Sequence, residues 1–369
     1  MPISLTVKKI DGKPGQVYYP LQINTIPKPV PKAGEILVKL SAAALNHRDF
    51  FIRQHLYPGI SFDHPLLADG YGTVIELGPN PSSTASSLLG KNVLLTTTRG
   101  WESDPSGPED PSAYSVIGGA ARYDAGTAQE YIVVPEDEVV EAPGHLSSVE
   151  GAALPLVGVT AWRALVTKCF NGDVSAVKGK NVLVTGIGGG VALQTLQFAV
   201  EMGAHVYVTS SSLEKIEKAK KMGARGGVNY RDGDWEKQLL GLLPKERKFL
   251  DCVVDGAGGD IVSRSCKVLK NGGIISCYGM TLGPKMDWVA MGFLKNIELR
   301  GTAMGSKKEF REMIQFVGEK KIRPVVSRVV KGLDNVEGID GLFEDMRAGK
   351  QFGKLVILIE GESGDSPKL

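Results

Sequence analysis

The stretch Asn181-Val182-Leu183-Val184-Thr185-Gly186-Ile187-Gly188-Gly189-Gly190-Val191-Ala192 decides the fold. A short apolar run reads as a strand, the glycines turn the chain, and a helix comes next over Val191–Met202. Small residues let backbone pass close to a pyrophosphate, and a helix N-terminus offers free N–H donors and the positive end of its dipole. The literal G-x-G-x-x-G spacing is not met. Gly186-x-x-Gly189-x-x-Ala192 is the better fit, with Gly190 and Val191 opening the helix and small Ala192 packing it on the strand. A glycine turn of this kind also occurs in βα units that bind no nucleotide, so the weight falls on the next strand–helix unit and its spacing.

Working outward, strand and helix patterns alternate. His205–Thr209 reads as a strand, Leu213–Met222 as a helix, and Cys252–Asp255 as a strand. A helix near Ile261–Leu269, a strand Gly273–Tyr278, a strand near Glu298–Thr302 and a helix Lys307–Lys320 continue the series. Such alternation implies a parallel, doubly wound α/β sheet of the Rossmann type. Residues 1–150 have another texture. Glu35–Ser41, Gly72–Leu77, Asn92–Thr96 and Glu130–Val134 are short β-rich runs punctuated by Pro and Gly, as expected of an all-β, barrel-like domain. Trp101–Gly119, rich in Asp, Ser, Pro and Gly, reads as a long loop. Val325–Val330 and Lys354–Ile359 return to β texture and are expected to rejoin the first domain. The expected division is 1–150 with 310–369 against 151–309.

The second strand of the series ends Thr209-Ser210-Ser211-Ser212, with Lys215 one helical turn later. A site for NAD usually places an acid there to bind the ribose hydroxyls. Here the first acid is Glu214. Ser210, Ser211, Ser212 and Lys215 suit a 2′-phosphate, which wants donors and positive charge, so the cofactor expected is NADPH. A serine N-cap followed by a solvated lysine is the competing reading. Tyr230 stands where a third strand would end near the adenosine, although a surface tyrosine fits that position as well.

Composition limits the alternatives. A net charge of +2 on 369 residues, with no basic block, points away from nucleic acid and anionic membrane. The four cysteines make no CxxC pair and lie in apolar surroundings, which suggests buried thiols in a reducing compartment. No signal-like apolar core opens the chain and no apolar run reaches membrane-span length, so a cytoplasmic protein is expected. Pro367-Lys368-Leu369 resembles a degraded peroxisomal Ser-Lys-Leu signal, weakened by its proline.

Several stretches then carry a family resemblance: Ala44-Leu45-Asn46-His47-Arg48-Asp49, Asp69-Gly70-Tyr71-Gly72-Thr73-Val74, Gly126-Thr127-Ala128-Gln129-Glu130-Tyr131, Leu154–Trp162 and Asp255-Gly256-Ala257-Gly258-Gly259. With the glycine turn, they resemble the medium-chain dehydrogenase/reductase superfamily over nearly the whole chain. The nearest likeness is to its zinc-independent quinone and enone reductases and to alcohol dehydrogenase-like members. The resemblance implies a GroES-like β-barrel catalytic domain joined to a Rossmann domain, with the active site in the cleft between them. Zinc members hold the metal with Cys, His and Cys; the matching positions here are Asn46, Ala68 and Val157, none a good ligand. The region matching their four-cysteine lobe, Arg99–Arg122, contains no cysteine. No metal site is therefore expected.

Reduction of a polarised acceptor needs less Lewis-acid help than oxidation of an alcohol. The expected reaction is hydride transfer from NADPH to a quinone or α,β-unsaturated carbonyl. Asn46 is expected to hydrogen-bond the cofactor ribose or a substrate carbonyl, unless it only shapes a turn. Tyr57 matches a tyrosine of 2-enoyl thioester reductases implicated in protonation, and lining the pocket is its alternative role. Thr160, Tyr278 and Met304 match regions around the nicotinamide. An enoyl-thioester reductase and a non-catalytic NADPH-binding sensor or scaffold are the competing functions. The partner expected is a small-molecule substrate, and superfamily members commonly form homodimers or homotetramers.

Overall fold

The computed structural model describes residues 1–283 and 285–359; Pro367-Lys368-Leu369 lies outside them. The chain divides into two compact units, Met1–Leu156 together with the stretch from Ser306, and Val157–Gly305. The first unit is thus discontinuous in sequence. One boundary falls inside the helix Pro155–Trp162, and the other immediately precedes the helix Lys307–Lys320.

The unit Val157–Gly305 is built on six strands: β1 (Asn181–Val184), β2 (His205–Ser210), β3 (Gly226–Asn229), β4 (Leu250–Asp255), β5 (Leu269–Cys277) and β6 (Glu298–Gly301). All pairings are parallel, in the order β3-β2-β1-β4-β5-β6. The helices α1 (Gly190–Glu201), α2 (Leu213–Lys221), α3 (Trp235–Leu242) and α4 (Ile261–Val268) lie between the strands in sequence. β1 and β4 are buried at every residue, as strands covered on both faces must be, and their centres, Val182–Val184 and Cys252–Val254, are apolar accordingly. The strand order reverses between β1 and β4. Connections leave in opposite directions there, opening the crevice in which ligands of open α/β sheets bind. β5 begins at Leu269, earlier than the sequence pattern suggests, because Leu269 pairs with Leu250 before a register shift.

The other unit is organised around the ten-residue strand Glu35–Ala44. It pairs antiparallel with Asp69–Leu77, Tyr131–Pro135 and Lys354–Leu358, so the carboxyl-terminal β segment sits beside the first long strand. Val326–Lys331 and Lys354–Leu358 are parallel, and the helix Val336–Arg347 lies between them in sequence. Register shifts at Leu37/Val38 and Leu40/Ala42 bend the long pair, as bulges do. A Cβ at Gly72 would overlap the Lys39 backbone, so this crossing requires glycine. The core below joins Leu5, Leu45, Ile52, Leu342, Phe343 and Ile357.

The loop Trp101–Gly119 is tied down by its own side chains. Thr98–Arg99 pairs with Ser115–Val116, and the Glu109 carboxylate accepts the N–H groups of Glu102, Ser103 and Asp104 at 2.7–2.8 Å. Desolvation opposes ionisation of Glu109, but the Ser103, Asp104 and Glu102 N–H groups bring its pKa down to about 2.

Candidate active site

On the parallel sheet, the candidate residues gather at the carboxyl ends of the strands. After β1 the backbone enters the left-handed region at Gly186 (φ 62°) and takes φ 123° at Gly188, conformations L side chains rarely adopt. Gly186 N–H donates to Thr209 Oγ1 at 3.2 Å and Ile187 N–H to Thr209 O at 2.8 Å, fastening the turn to the end of β2. Gly189 is the N-cap of α1 and offers no side chain to its first turn. The N–H groups of Gly190, Val191 and Ala192 therefore meet no intrahelical acceptor, and Ala192 is fully buried, as its packing position demands.

At the end of β2, Ser212 is the N-cap of α2, its Oγ accepting from Lys215 N–H at 3.3 Å. Ser210 Oγ accepts from Ser212 N–H at 3.1 Å. The capping role is thus realised, yet each hydroxyl used as an acceptor keeps its own O–H to donate. The Lys215 side chain runs across the glycine turn, with Nζ only 3.2 Å from where a Gly188 Cβ would stand. Desolvation lowers the Lys215 pKa, the Glu214 carboxylate opposing and Lys218 adding to it. Ser211 lies between the two capping serines, and Tyr230, exposed, donates its N–H to Ser210 O at 3.3 Å.

Two further residues fix the β1–β4 crevice. Thr185 Oγ1 donates to Asp255 Oδ1 at 2.5 Å, and Gly258 N–H donates to Asp255 Oδ2 at 2.8 Å. Asp255 is fully buried, and burial raises its pKa against these bonds. The Tyr278 ring packs against Gly256, where a Cβ would overlap it, and desolvation, then Asp255 and Cys277, raise its hydroxyl pKa. Thr160 is buried with its hydroxyl 4.0 Å from the Met304 sulfur. Met304 itself holds φ 58°, a strained conformation for a non-glycine residue.

In the other unit, Asn46 precedes the helix His47–Arg53, and its N–H donates to Asp49 Oδ2 at 2.8 Å. Its amide is engaged on both sides. Nδ2 donates to Asp69 Oδ2 at 2.8 Å, and Oδ1 accepts from Lys354 Nζ at 2.6 Å. Its oxygen thus faces the Lys354 ammonium, and one N–H remains beside the bond to Asp69. Lys354 also donates to Leu45 O at 2.6 Å and Asp69 Oδ2 at 2.8 Å, and Asp69 Oδ1 accepts Leu156 N–H at 2.7 Å. Asp49 is fully buried beside this group; desolvation raises its pKa to about 6, with Arg48, the Asn46 N–H and Lys354 pulling down and Asp69 pushing up.

Tyr57 is half-buried under the Arg48 guanidinium, 4.8 Å above its ring. Arg48 is anchored by Asp49 Oδ1 at 3.0 Å and Gly118 O at 2.7 Å, so the tyrosine packs against a fixed cation. His47 is exposed; partial desolvation of its ring first, and the Lys354 charge second, lower its pKa.

The structure thus places Asn46 and Tyr57 on the unit that begins the chain, and the remaining candidates on the parallel-sheet unit. Sequence reasoning missed the parts played by Asp69, Lys354, Thr185 and Arg48. A lysine opening the otherwise apolar run Lys354-Leu355-Val356-Ile357-Leu358 was the available signal. The donor set does not fit zinc: Asn46 is committed elsewhere, and Ala68 and Val157 are buried hydrocarbon. Among the described residues no three His, Cys, Asp or Glu side chains cluster as a metal site requires, and all four cysteines are buried and free.

Comparison with known proteins adds to this geometry. Residues 32–144 match the family described as alcohol dehydrogenase GroES-like domain, and residues 190–319 match the family described as zinc-binding dehydrogenase. Zinc-type alcohol dehydrogenase-like protein YogA of Leptosphaeria maculans is 60% identical over 362 residues, covering 97% of this chain and 100% of that protein. A zinc-type alcohol dehydrogenase-like protein of Schizosaccharomyces pombe is 33% identical over 336 residues, covering 89% and 91%. The crystal structure of an NAD-dependent alcohol dehydrogenase superposes with a TM-score of 0.81 at 29% identity, covering 98% of this chain and 100% of the other.

Proposed function

Because the chain belongs to the medium-chain dehydrogenase/reductase superfamily and is an oxidoreductase of its alcohol dehydrogenase-like kind, we propose that it reduces a quinone or α,β-unsaturated carbonyl with NADPH and without zinc. The observation that carries this reading is the buried Asn46–Asp69–Lys354 group, Asn46 being the residue that the family resemblance matches to a zinc-binding cysteine. With amide and hydrocarbon at the metal positions, the site lacks the Lewis acid that makes an alcohol give up its proton. An acceptor already polarised by conjugation needs only hydrogen-bond donors for its developing oxyanion.

The cradle on the parallel sheet fits a dinucleotide. Backbone N–H groups of Gly189, Gly190, Val191 and Ala192 would hold the pyrophosphate, with Gly186 allowing close approach. Ser210, Ser211, Ser212 and Lys215 would hold a 2′-phosphate, Tyr230 the adenosine side, and Thr160, Tyr278 and Met304 the nicotinamide side. When bound, NADPH supplies the hydride. On the other unit, Asn46 donates a hydrogen bond to the acceptor's carbonyl oxygen, and the Tyr57 hydroxyl delivers a proton or hydrogen bond as the enolate forms. Two copies pair through the exposed edge of β6, where Leu299, Phe293 and Leu294 remain uncovered.

Steady-state oxidation of NADPH across a p-quinone, an enone and an enoyl thioester, beside NADP⁺ reduction by a primary alcohol, tests the reading. Quinone or enone turnover is expected. Turnover of the enoyl thioester alone would assign the thioester reaction instead, tight NADPH binding without turnover would assign a sensor, and alcohol oxidation alone would overturn the proposal.

A further inference from the structure

Lys354 is nearly fully buried, and its ammonium meets three oxygens: Leu45 O, Asn46 Oδ1 and Asp69 Oδ2. An ammonium has three N–H donors, so each is used and none is left for a substrate. Asp69, fully buried, commits Oδ2 to Lys354 and Asn46 and Oδ1 to Leu156 N–H. A buried ion pair is weak evidence of stability, and its best-attested use is to fix one arrangement among several.

What it fixes here is the direction of an amide. An asparagine side chain can turn over, exchanging a carbonyl oxygen for an NH₂ group in nearly the same volume. Turning Asn46 over would set its NH₂ against the Lys354 ammonium and its oxygen against the Asp69 carboxylate. Both contacts change from attractive to repulsive in a site closed to water, where such errors cost most. The amide is therefore held with oxygen toward the cation and nitrogen toward the anion. One N–H serves Asp69; among the described residues the second has no acceptor. Held this way, Asn46 keeps an N–H to give, while its oxygen faces the Lys354 cation.

We propose that Lys354 and Asp69 are positioning residues that hold the Asn46 amide in one orientation, its remaining N–H offered to the substrate, so that the site recognises its substrate by a carbonyl oxygen. The substrate part rests on the carbonyl-reductase reading above; the orientation of the amide does not.

Lys354→Met keeps much of the side-chain volume and removes the charge and the donors. Its kcat on the best carbonyl acceptor is expected to fall about tenfold or more while the Kd for NADPH, read by fluorescence, stays within about twofold. Lys354→Arg, which keeps a cation and donors, is expected to recover part of that loss. In ¹⁵N-asparagine-labelled protein, the Asn46 side-chain NH₂ signals, identified by their loss in Asn46→Asp, are expected to shift in Lys354→Met. A folded Lys354→Met with wild-type kcat overturns the positioning role. If wild-type protein reduces no carbonyl acceptor, the functional reading fails on its own, and unmoved Asn46 signals would then overturn the orientation. Should Lys354→Met not fold, Asn46→Asp decides: an acceptor-only carboxylate is expected to be as slow as Asn46→Ala, and wild-type turnover in it overturns the proposal.

Discussion

Lys215 lies over Gly188, so its charge is delivered to the glycine turn rather than to solvent. A 2′-phosphate there gains charge-assisted bonds of about 1.5–3 kcal/mol each when well formed, lessened by exposure. NADPH is therefore expected to bind more tightly than NADH, and Lys215→Ala to narrow the gap by about tenfold or more in fluorescence titration. Equal affinity for the two cofactors in the wild type would remove the basis for this assignment. Tyr57 makes a separate case. Tyr57→Phe deletes one hydroxyl and keeps the ring under Arg48. A loss of about tenfold in kcat, or ~1.4 kcal/mol, with unchanged NADPH binding is expected if the hydroxyl enters the chemistry; an unchanged rate would leave Tyr57 as wall. The capping contacts of Ser210 and Ser212 were legible because they are made to neighbours in sequence. Asn46 was half legible: its position was clear, but its partners Asp69 and Lys354 lie 23 and 308 residues away, and no local pattern announces such a meeting.

Elements succeed where their period is strong. β1, β2 and α1 could be read from sequence because burial makes the centres of the strands apolar and the glycine turn marks the junction. α3 escaped notice: Trp235 and Leu239 bury one face, but Asp232, Gly233 and Asp234 before it look like loop. That short helix is fastened to α4 by Glu236, which accepts from Arg264 at 2.6 Å and Lys267 at 3.0 Å. The Arg264 bond is the largest cause bringing the Glu236 pKa from an ordinary 4.5 to about 2. A carboxyl depressed in the folded state contributes stability above its unfolded pKa and loses it as pH falls through the folded one. Unfolding measured by urea between pH 4.5 and pH 2 should therefore include a loss assignable to Glu236. Glu236→Gln is expected to flatten that slope and to cost about 1–3 kcal/mol at neutral pH; an unaltered acid slope would contradict the assignment. At the opposite edge of the sheet, no strand among the described residues pairs with the outer side of β6, beside exposed Phe293 and Leu294. Sedimentation should show a dimer, and Leu299→Lys should weaken it about tenfold or more; a monomeric wild type at micromolar concentration would refute the pairing.

At the scale of the molecule, the two textures of the sequence correspond to two units, and the return of the tail to the first was visible because β patterning resumed after the helix Lys307–Lys320. The pairing partner of the tail was not visible, since strand neighbours so distant in sequence leave no mark on local pattern. Two relatives carry zinc in their names, yet this chain has amide and hydrocarbon at the positions that the family resemblance matches to metal ligands. Elemental analysis of chelator-free protein is expected to find no stoichiometric zinc, and one zinc per chain would refute the donor-set argument. The discontinuous unit also imposes an order on synthesis. Asp69 leaves the ribosome hundreds of residues before Lys354, which at about 5–20 residues per second means tens of seconds without its counter-charge. The parallel sheet, contained within one continuous stretch, can close during that interval. A nascent chain can thus hold a finished parallel sheet while Asn46 and Asp69 still lack the cation that orients them, and translation, by delivering Lys354 late, becomes the step that completes the group.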